Sequence, residues 1–228
     1  MSKVRCPSFR YHEGRARERR QIVDCFPSRG HVYFEPFAGA GNVFYEVQNR
    51  NLQYDEFVLS DCQPFLLDVL RCKMGQFPVT ASRKVFEQWA ATDTPEASVL
   101  ARAITYGGKG YQAGFIGSLA YNRDSLLESV WSAKTMLKRA AITADKWDVY
   151  DYSKFVKDDL IYFDPPSRMN NYDRIIGDIN HDALIDVLLR NCYFRWVITH
   201  KPDKWYENRL GSRFIVLDGP LYLWRNFH

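Results

Sequence analysis

The segment best suited to chemistry is Asp164-Pro165-Pro166-Ser167, which follows the apolar run LIYF. Two prolines remove N–H donors and stiffen the chain, leaving the carbonyls of Asp164 and Pro165 without local donors. A carboxylate and a carbonyl on one rigid arm are both acceptors, which suits gripping an NH₂ group. A strand-terminating turn is the competing reading. Earlier, HVYFEPFAGAGNVF reads as a strand, the turn Glu35-Pro36-Phe37-Ala38-Gly39-Ala40-Gly41, and a helix starting near Asn42. Gly39 and Gly41 let backbone approach a ligand without a Cβ in the way, and the helix offers free N–H groups. Phe44 occupies the third glycine position of the dinucleotide pattern, which lowers the case for NAD. Twenty residues after Gly41, EFVLSD ends at Asp61. That carboxylate can accept both hydroxyls of a ribose or serve as a helix cap. Beside the glycine turn, it favours an adenosine-bearing ligand.

These residues need a scaffold that brings loop ends together. Strand signals fall at 31–38, 56–61, 160–166, 194–200, 213–219 and 221–226, with helical patterns at 42–50, 63–74, 180–190 and 202–209. Alternating strands and helices predict an α/β fold with a twisted, mostly parallel sheet. RFIVLDGPLYLW reads as a terminal hairpin that adds an antiparallel strand. The alternation breaks from 76 to 145, where helices are expected at 96–104 and 124–139. Between them, TYGGKGYQAGFIGSLAYNR mixes glycines with aromatics and reads as an exposed loop on an inserted, mainly helical lobe. The expected division is 1–75 with 146–228 as one unit and 76–145 as the insert.

The pairing of EPFAGAG with DPPS resembles the Dam-like (D12) class of DNA adenine-N6 methyltransferases, whose signatures are an F-x-G-x-G turn and an Asp-Pro-Pro-Tyr loop. The order of glycine turn, inserted target-recognition lobe and catalytic loop agrees. FRYHEGRARERRQIVDCFPSRG resembles a degenerate form of the class's opening segment, with Glu13 and Arg15 in place of a glycine and a lysine. Asp61 falls at the ribose-binding acid, and His181 at the histidine that opens the helix after the catalytic loop. The resemblance implies a Rossmann-like methyltransferase sheet that uses S-adenosylmethionine, double-stranded DNA as substrate, and a flipped adenine. It implies a catalytic set of Asp164, Pro165, Pro166 and Ser167. The donor set would be Tyr11, Arg15, Glu35, Phe37, Gly39, Gly41 and Asp61, with Asp145 or Trp147 facing the adenine ring. No metal is required. Ser167 replaces the aromatic that stacks on the target base in the class, which leaves three readings: another ring such as Tyr172 stacks, turnover is low, or position 167 was changed to trap a complex. The alternatives are cytosine-N4 methylation, or a DNA- or donor-binding module with little catalysis.

Charge agrees with a polyanionic partner. Residues 1–30 carry eight basic and three acidic groups, and 102–146 carry seven against three, within a net charge of +4. Two basic patches can hold DNA; solvated helix faces are the alternative. Lys109, Tyr111, Arg123 and Lys134 are the expected DNA contacts, and His200 reads as structural. Hydrophobic residues at 46% provide a core, and no apolar run approaches the ~20 residues of a membrane helix. Five scattered cysteines without a C-x-x-C pair argue against disulfides and zinc. A reduced, cytoplasmic protein, plausibly monomeric, is expected.

Overall fold

The computed structural model describes residues 7, 9, 14–105, 114–116, 121–168, 179–190, 193–218 and 221–227. Seven strands form one sheet: β1 (Arg29–Glu35), β2 (Gln53–Ser60), β3 (Ala141–Thr143), β4 (Leu160–Phe163), β5 (Arg195–His200), β6 (Ile215–Leu217) and β7 (Leu221–Arg225). Their order is β3-β2-β1-β4-β5-β7-β6. The first five are parallel, and β7 runs antiparallel to both β5 and β6. Eight helices surround them among the described residues: α1 (Arg19–Asp24), α2 (Asn42–Asn49), α3 (Phe65–Arg71), α4 (Arg83–Ala90), α5 (Pro95–Ile104), α6 (Arg123–Leu137), α7 (His181–Arg190) and α8 (Lys204–Leu210).

The central strands are apolar on both faces because both faces are covered. Along β4, Leu160 and Tyr162 enter one core, and Ile161 and Phe163 the other. The first core holds side chains of α1, α2, α3, α5 and α6; the second holds those of α7 and α8. This alternation decides which residues can meet at the strand ends. Tyr33 and Glu35, Tyr162 and Asp164, and Thr199 of β5 fall on one face of the pleat. The register pairs Phe34 with Ile161 and Phe163 with Ile198. Extending it by one residue sets Glu35 beside Tyr162, and Asp164 beside Thr199.

Strand order reverses between β1 and β4. Loops leaving their carboxyl ends diverge and open a crevice there, the usual ligand position in open α/β sheets.

Parts of the expected insert, 76–145, belong to this unit. β3 is an edge strand of the sheet, paired with β2. Val99, Leu100 and Ile104 of α5 and Val130, Ala133 and Leu137 of α6 share a core with Phe65 and Val69 of α3. The boundary at 145/146 therefore leaves the edge strand β3 on the insert side, apart from the β2 it pairs with.

Candidate active site

One cleft gathers the three segments singled out by their chemistry. Its wall includes Glu35 to Ala40 from the glycine turn, Asp61 to Gln63 after β2, and Asp164 to Pro166 after β4. Gly14, Arg15, Trp147, Tyr162 and Asn180 are also among its lining residues.

The glycine turn is held from beneath. Gly39 and Gly41 have φ of +53° and +73°, values that side-chain-bearing residues rarely adopt. The Gly39 N–H donates to Asp61 Oδ2 at 2.8 Å, and the Gln63 N–H donates to Oδ1 at 2.9 Å. Asp61 thus ties the β1 and β2 loops together while lining the cleft. Burial pushes its carboxyl upward from the usual range, and these two N–H groups oppose the shift.

Gly41 precedes α2 and has no side chain to cap it. Glu35 fills that role: its buried carboxyl accepts from the Phe44 backbone N–H and from the Tyr33 hydroxyl. It lines the cleft floor, but these bonds make it a support of the turn. Burial, reinforced by nearby Asp164, raises its carboxyl to about 8. Asn42 Oδ1 is buried in the same wall with no hydrogen-bond partner among the described residues. That acceptor, the clamped glycine turn and Asp61 suit a ligand that carries ribose hydroxyls and an ammonium group.

Across the crevice, Asp164 Oδ1 accepts from Arg15 Nε at 2.9 Å and from Thr199 Oγ1 at 2.9 Å. Arg15 Nη2 lies 2.7 Å from the same oxygen. Arg15, expected at the donor's methionine end, lines this cleft and is paired there with the Asp164 carboxylate. Phe37 and Trp147 face each other with centroids 6.2 Å apart, and both line the cleft. Asp145 is exposed, and its carbonyl accepts from Ser60 Oγ; it is not part of the wall. Pro165 and Pro166 line the cleft, whereas Ser167 does not. Beyond Ser167, Arg168 lies over the Trp205 ring at 4.0 Å and pairs with Asp203, pinning the far end of the loop.

His181 opens α7, and its Nδ1 contacts Tyr206 Oη at 2.6 Å. Burial, with His200 nearby, lowers it to about 4, so it is neutral at physiological pH. His200 stacks on Tyr206 and, through Nδ1, donates to the Lys201 carbonyl at 2.7 Å. Both histidines brace α8 against the strand ends.

Two expected DNA contacts are committed elsewhere. Lys134 Nζ donates to the Leu70 and Cys72 carbonyls at 2.8 and 2.6 Å. These carbonyls fall at the C-terminus of α3, where helix geometry leaves acceptors unsatisfied. Arg123 Nε donates to the Phe77 carbonyl at 3.1 Å. Tyr11, Lys109, Tyr111 and Tyr172 lie outside the described residues. Lys134→Met is therefore expected to cost about 1–2 kcal/mol of stability, leaving the salt dependence of DNA affinity unchanged. Denaturant unfolding and binding titrations check the two halves.

Strand order, an antiparallel β7 and a ligand cleft at the switch point define a Rossmann-like methyltransferase fold. The family model described as D12 class N6 adenine-specific DNA methyltransferase matches residues 16–98. The modification methylase StsI of Streptococcus sanguinis is 23% identical over 214 residues, 78% of this chain and 32% of the methylase. The chain thus spans about a third of that relative's length. A solved structure of yhhF from Escherichia coli, described as a candidate methyltransferase, covers 92% of this chain and 85% of its own, at 13% identity and a TM-score of 0.40. Over residues 16–98, then, the chain is similar to the Dam-like, D12 class family.

Proposed function

We propose that the protein transfers a methyl group from S-adenosylmethionine to the N6 amine of adenine in double-stranded DNA. The observation that carries this reading is Asp164, fixed by Arg15 and Thr199 in the same cleft as the glycine turn clamped by Asp61. The bound donor would supply an electrophilic methyl on a sulfonium, which leaves as the neutral thioether. Phe37, Gly39, Gly41, Asn42, Asp61 and Trp147 would hold the donor.

A base inside a duplex cannot reach the cleft and must be rotated out of the stack. The adenine amine is a poor nucleophile because its lone pair is delocalised into the ring. Asp164 and the Pro165 carbonyl would accept its two hydrogens and draw the nitrogen toward tetrahedral geometry. As the new N–C bond forms, the nitrogen becomes cationic and then loses one proton to water. The chain's contribution is placement and fixed dipoles. Residues 105–123 and the basic N-terminal segment are the proposed DNA-reading surface.

The test is incubation with labelled S-adenosylmethionine and adenine-containing duplex DNA, followed by nucleoside analysis. N6-methyladenine is expected. N4-methylcytosine would move the reading to the other amine, and binding without product would leave a recognition module. Because Ser167 offers no ring to a flipped base, Ser167→Tyr is expected to raise single-turnover transfer about tenfold, corresponding to ~1.4 kcal/mol of stacking. Fluorescence of 2-aminopurine at the target position reads the flipped state directly.

A further inference from the structure

We propose that Thr199 and Tyr162 are positioning residues for Asp164, forming a buried hydroxyl relay that sets the plane of the acceptor before DNA arrives. The proposal rests on the functional reading above. Both side chains are essentially buried, at 0% and 1% exposure. Tyr162 Oη lies 2.7 Å from Thr199 Oγ1, and Thr199 Oγ1 lies 2.9 Å from Asp164 Oδ1.

Chemistry fixes the direction of this relay. An ionised carboxylate only accepts, so the one hydroxyl proton of Thr199 is committed to Asp164. Tyr162 must then donate to Thr199. The order is Tyr162 to Thr199 to Asp164, with no alternative arrangement while Asp164 is charged. The pleat makes it possible, since Tyr162 and Asp164 are two apart on β4 and its extension, and Thr199 is Asp164's neighbour on the β5 side.

Arg15 and Thr199 approach the same oxygen from different parts of the chain, the N-terminal segment and β5. A carboxylate held by one oxygen from two elements has little freedom to rotate. An ångström of misplacement at a reacting centre can cost about a hundredfold in rate. The relay therefore acts on the chemical step through Asp164; Thr199 is not part of the cleft lining, and Tyr162 lines it while its hydroxyl is committed to Thr199.

The test uses the full chain with Thr199→Val, Thr199→Ser and Tyr162→Phe. Thr199→Val keeps the shape and removes the hydroxyl. It is expected to slow single-turnover methyl transfer about tenfold to a hundredfold, with donor Kd and DNA KM unchanged. Thr199→Ser is expected to restore the rate to within about twofold. Tyr162→Phe, which removes only the outer donor and adds no bulk, should give a smaller loss of about threefold to tenfold. It carries the test if Thr199→Val does not fold.

A second measurement needs no turnover. In infrared difference spectra of ¹³C-aspartate-labelled protein, the Asp164 carboxylate band is identified by its loss in Asp164→Asn. That band should shift in Thr199→Val and return in Thr199→Ser. An unmoved band overturns the proposal, as does a parent-like rate in Thr199→Val. If the parent transfers no methyl group to DNA, the functional reading fails, and the infrared band alone decides whether the relay holds Asp164.

Discussion

Asp164→Ala is expected to lower methyl transfer to DNA by a factor on the order of 10³ while leaving donor affinity within about threefold. The carboxylate would bond the target amine more strongly as its nitrogen turns tetrahedral, so its loss falls on the transition state rather than on binding. The proposed donor contacts are on the glycine turn and Asp61, across the crevice, and Asp164 supplies none of the bonds that shape that turn. The substitution also removes the acceptor for Arg15 Nε and Thr199 Oγ1. A local loss of stability would result, because buried charges are costly without their partners. Asp164→Asn separates the two effects. It keeps the volume and one oxygen acceptor, so its fold should survive better, yet it forfeits the ionised bond to the amine. Single-turnover methylation, calorimetric donor binding and thermal unfolding on both variants give the answer. Parent-like methylation by either variant would remove Asp164 from the chemistry.

Legibility in the sequence tracked the range of the interactions. The parallel strands, the terminal hairpin, α5 and α6 declare themselves through local apolar pattern and turn residues. β3 does not: three residues, Ala141 to Thr143, are too short for a pattern and exist as a strand only because β2 offers an edge. α4 is short and fully buries none of its residues, yet Val85, Phe86 and Trp89 share one helical face and pack partly buried against the first core, a periodicity that could have found it. Asp61 and Asp164 could be placed at strand tips from residue type alone. Their partners could not, since Arg15 and Asp164 are 149 residues apart and no local rule joins them. Lys134 and Arg123 show the converse. Charge counting assigns them to a polyanion, but the packing of α6 places Lys134 on the carbonyl end of α3. One signal was present and specific. Both β1 and β4 end in Tyr-Phe-acid-Pro, at Tyr33 to Pro36 and at Tyr162 to Pro165. A period of two puts each tyrosine on the same face as its acid. Attention to the acid and its proline misses the residue two positions before, which is where the supporting hydroxyls lie.

The two acids of that repeat sit beside each other at the switch point, and only one is paired with an arginine among the described contacts. Glu35 receives the Tyr33 hydroxyl and the Phe44 N–H, and it lies at the N-terminus of α2. All three favour the ionised form. Burial and the charge of Asp164 oppose it, and burial wins, raising the carboxyl from 4.5 to about 8. Linkage sets the sign. Below about pH 4.5 the group is protonated in both folded and unfolded chains, and its contribution to stability is complete. Between about 4.5 and 8 the unfolded chain has released the proton while the folded chain still holds it, so stability falls as pH rises. Above about 8 the loss is complete and levels off. Its size is about 3–5 kcal/mol at the linkage rate of one pH unit per ~1.4 kcal/mol. Glu35→Gln keeps an acceptor for Tyr33 and for the α2 N–H but cannot ionise. The variant is therefore expected to lack this slope and to match or exceed the parent's stability at pH 9, while gaining nothing at pH 5. Urea unfolding at pH 5, 7 and 9 measures the difference. A parent and variant whose stabilities run parallel across that range would show that Glu35 titrates alike in both states.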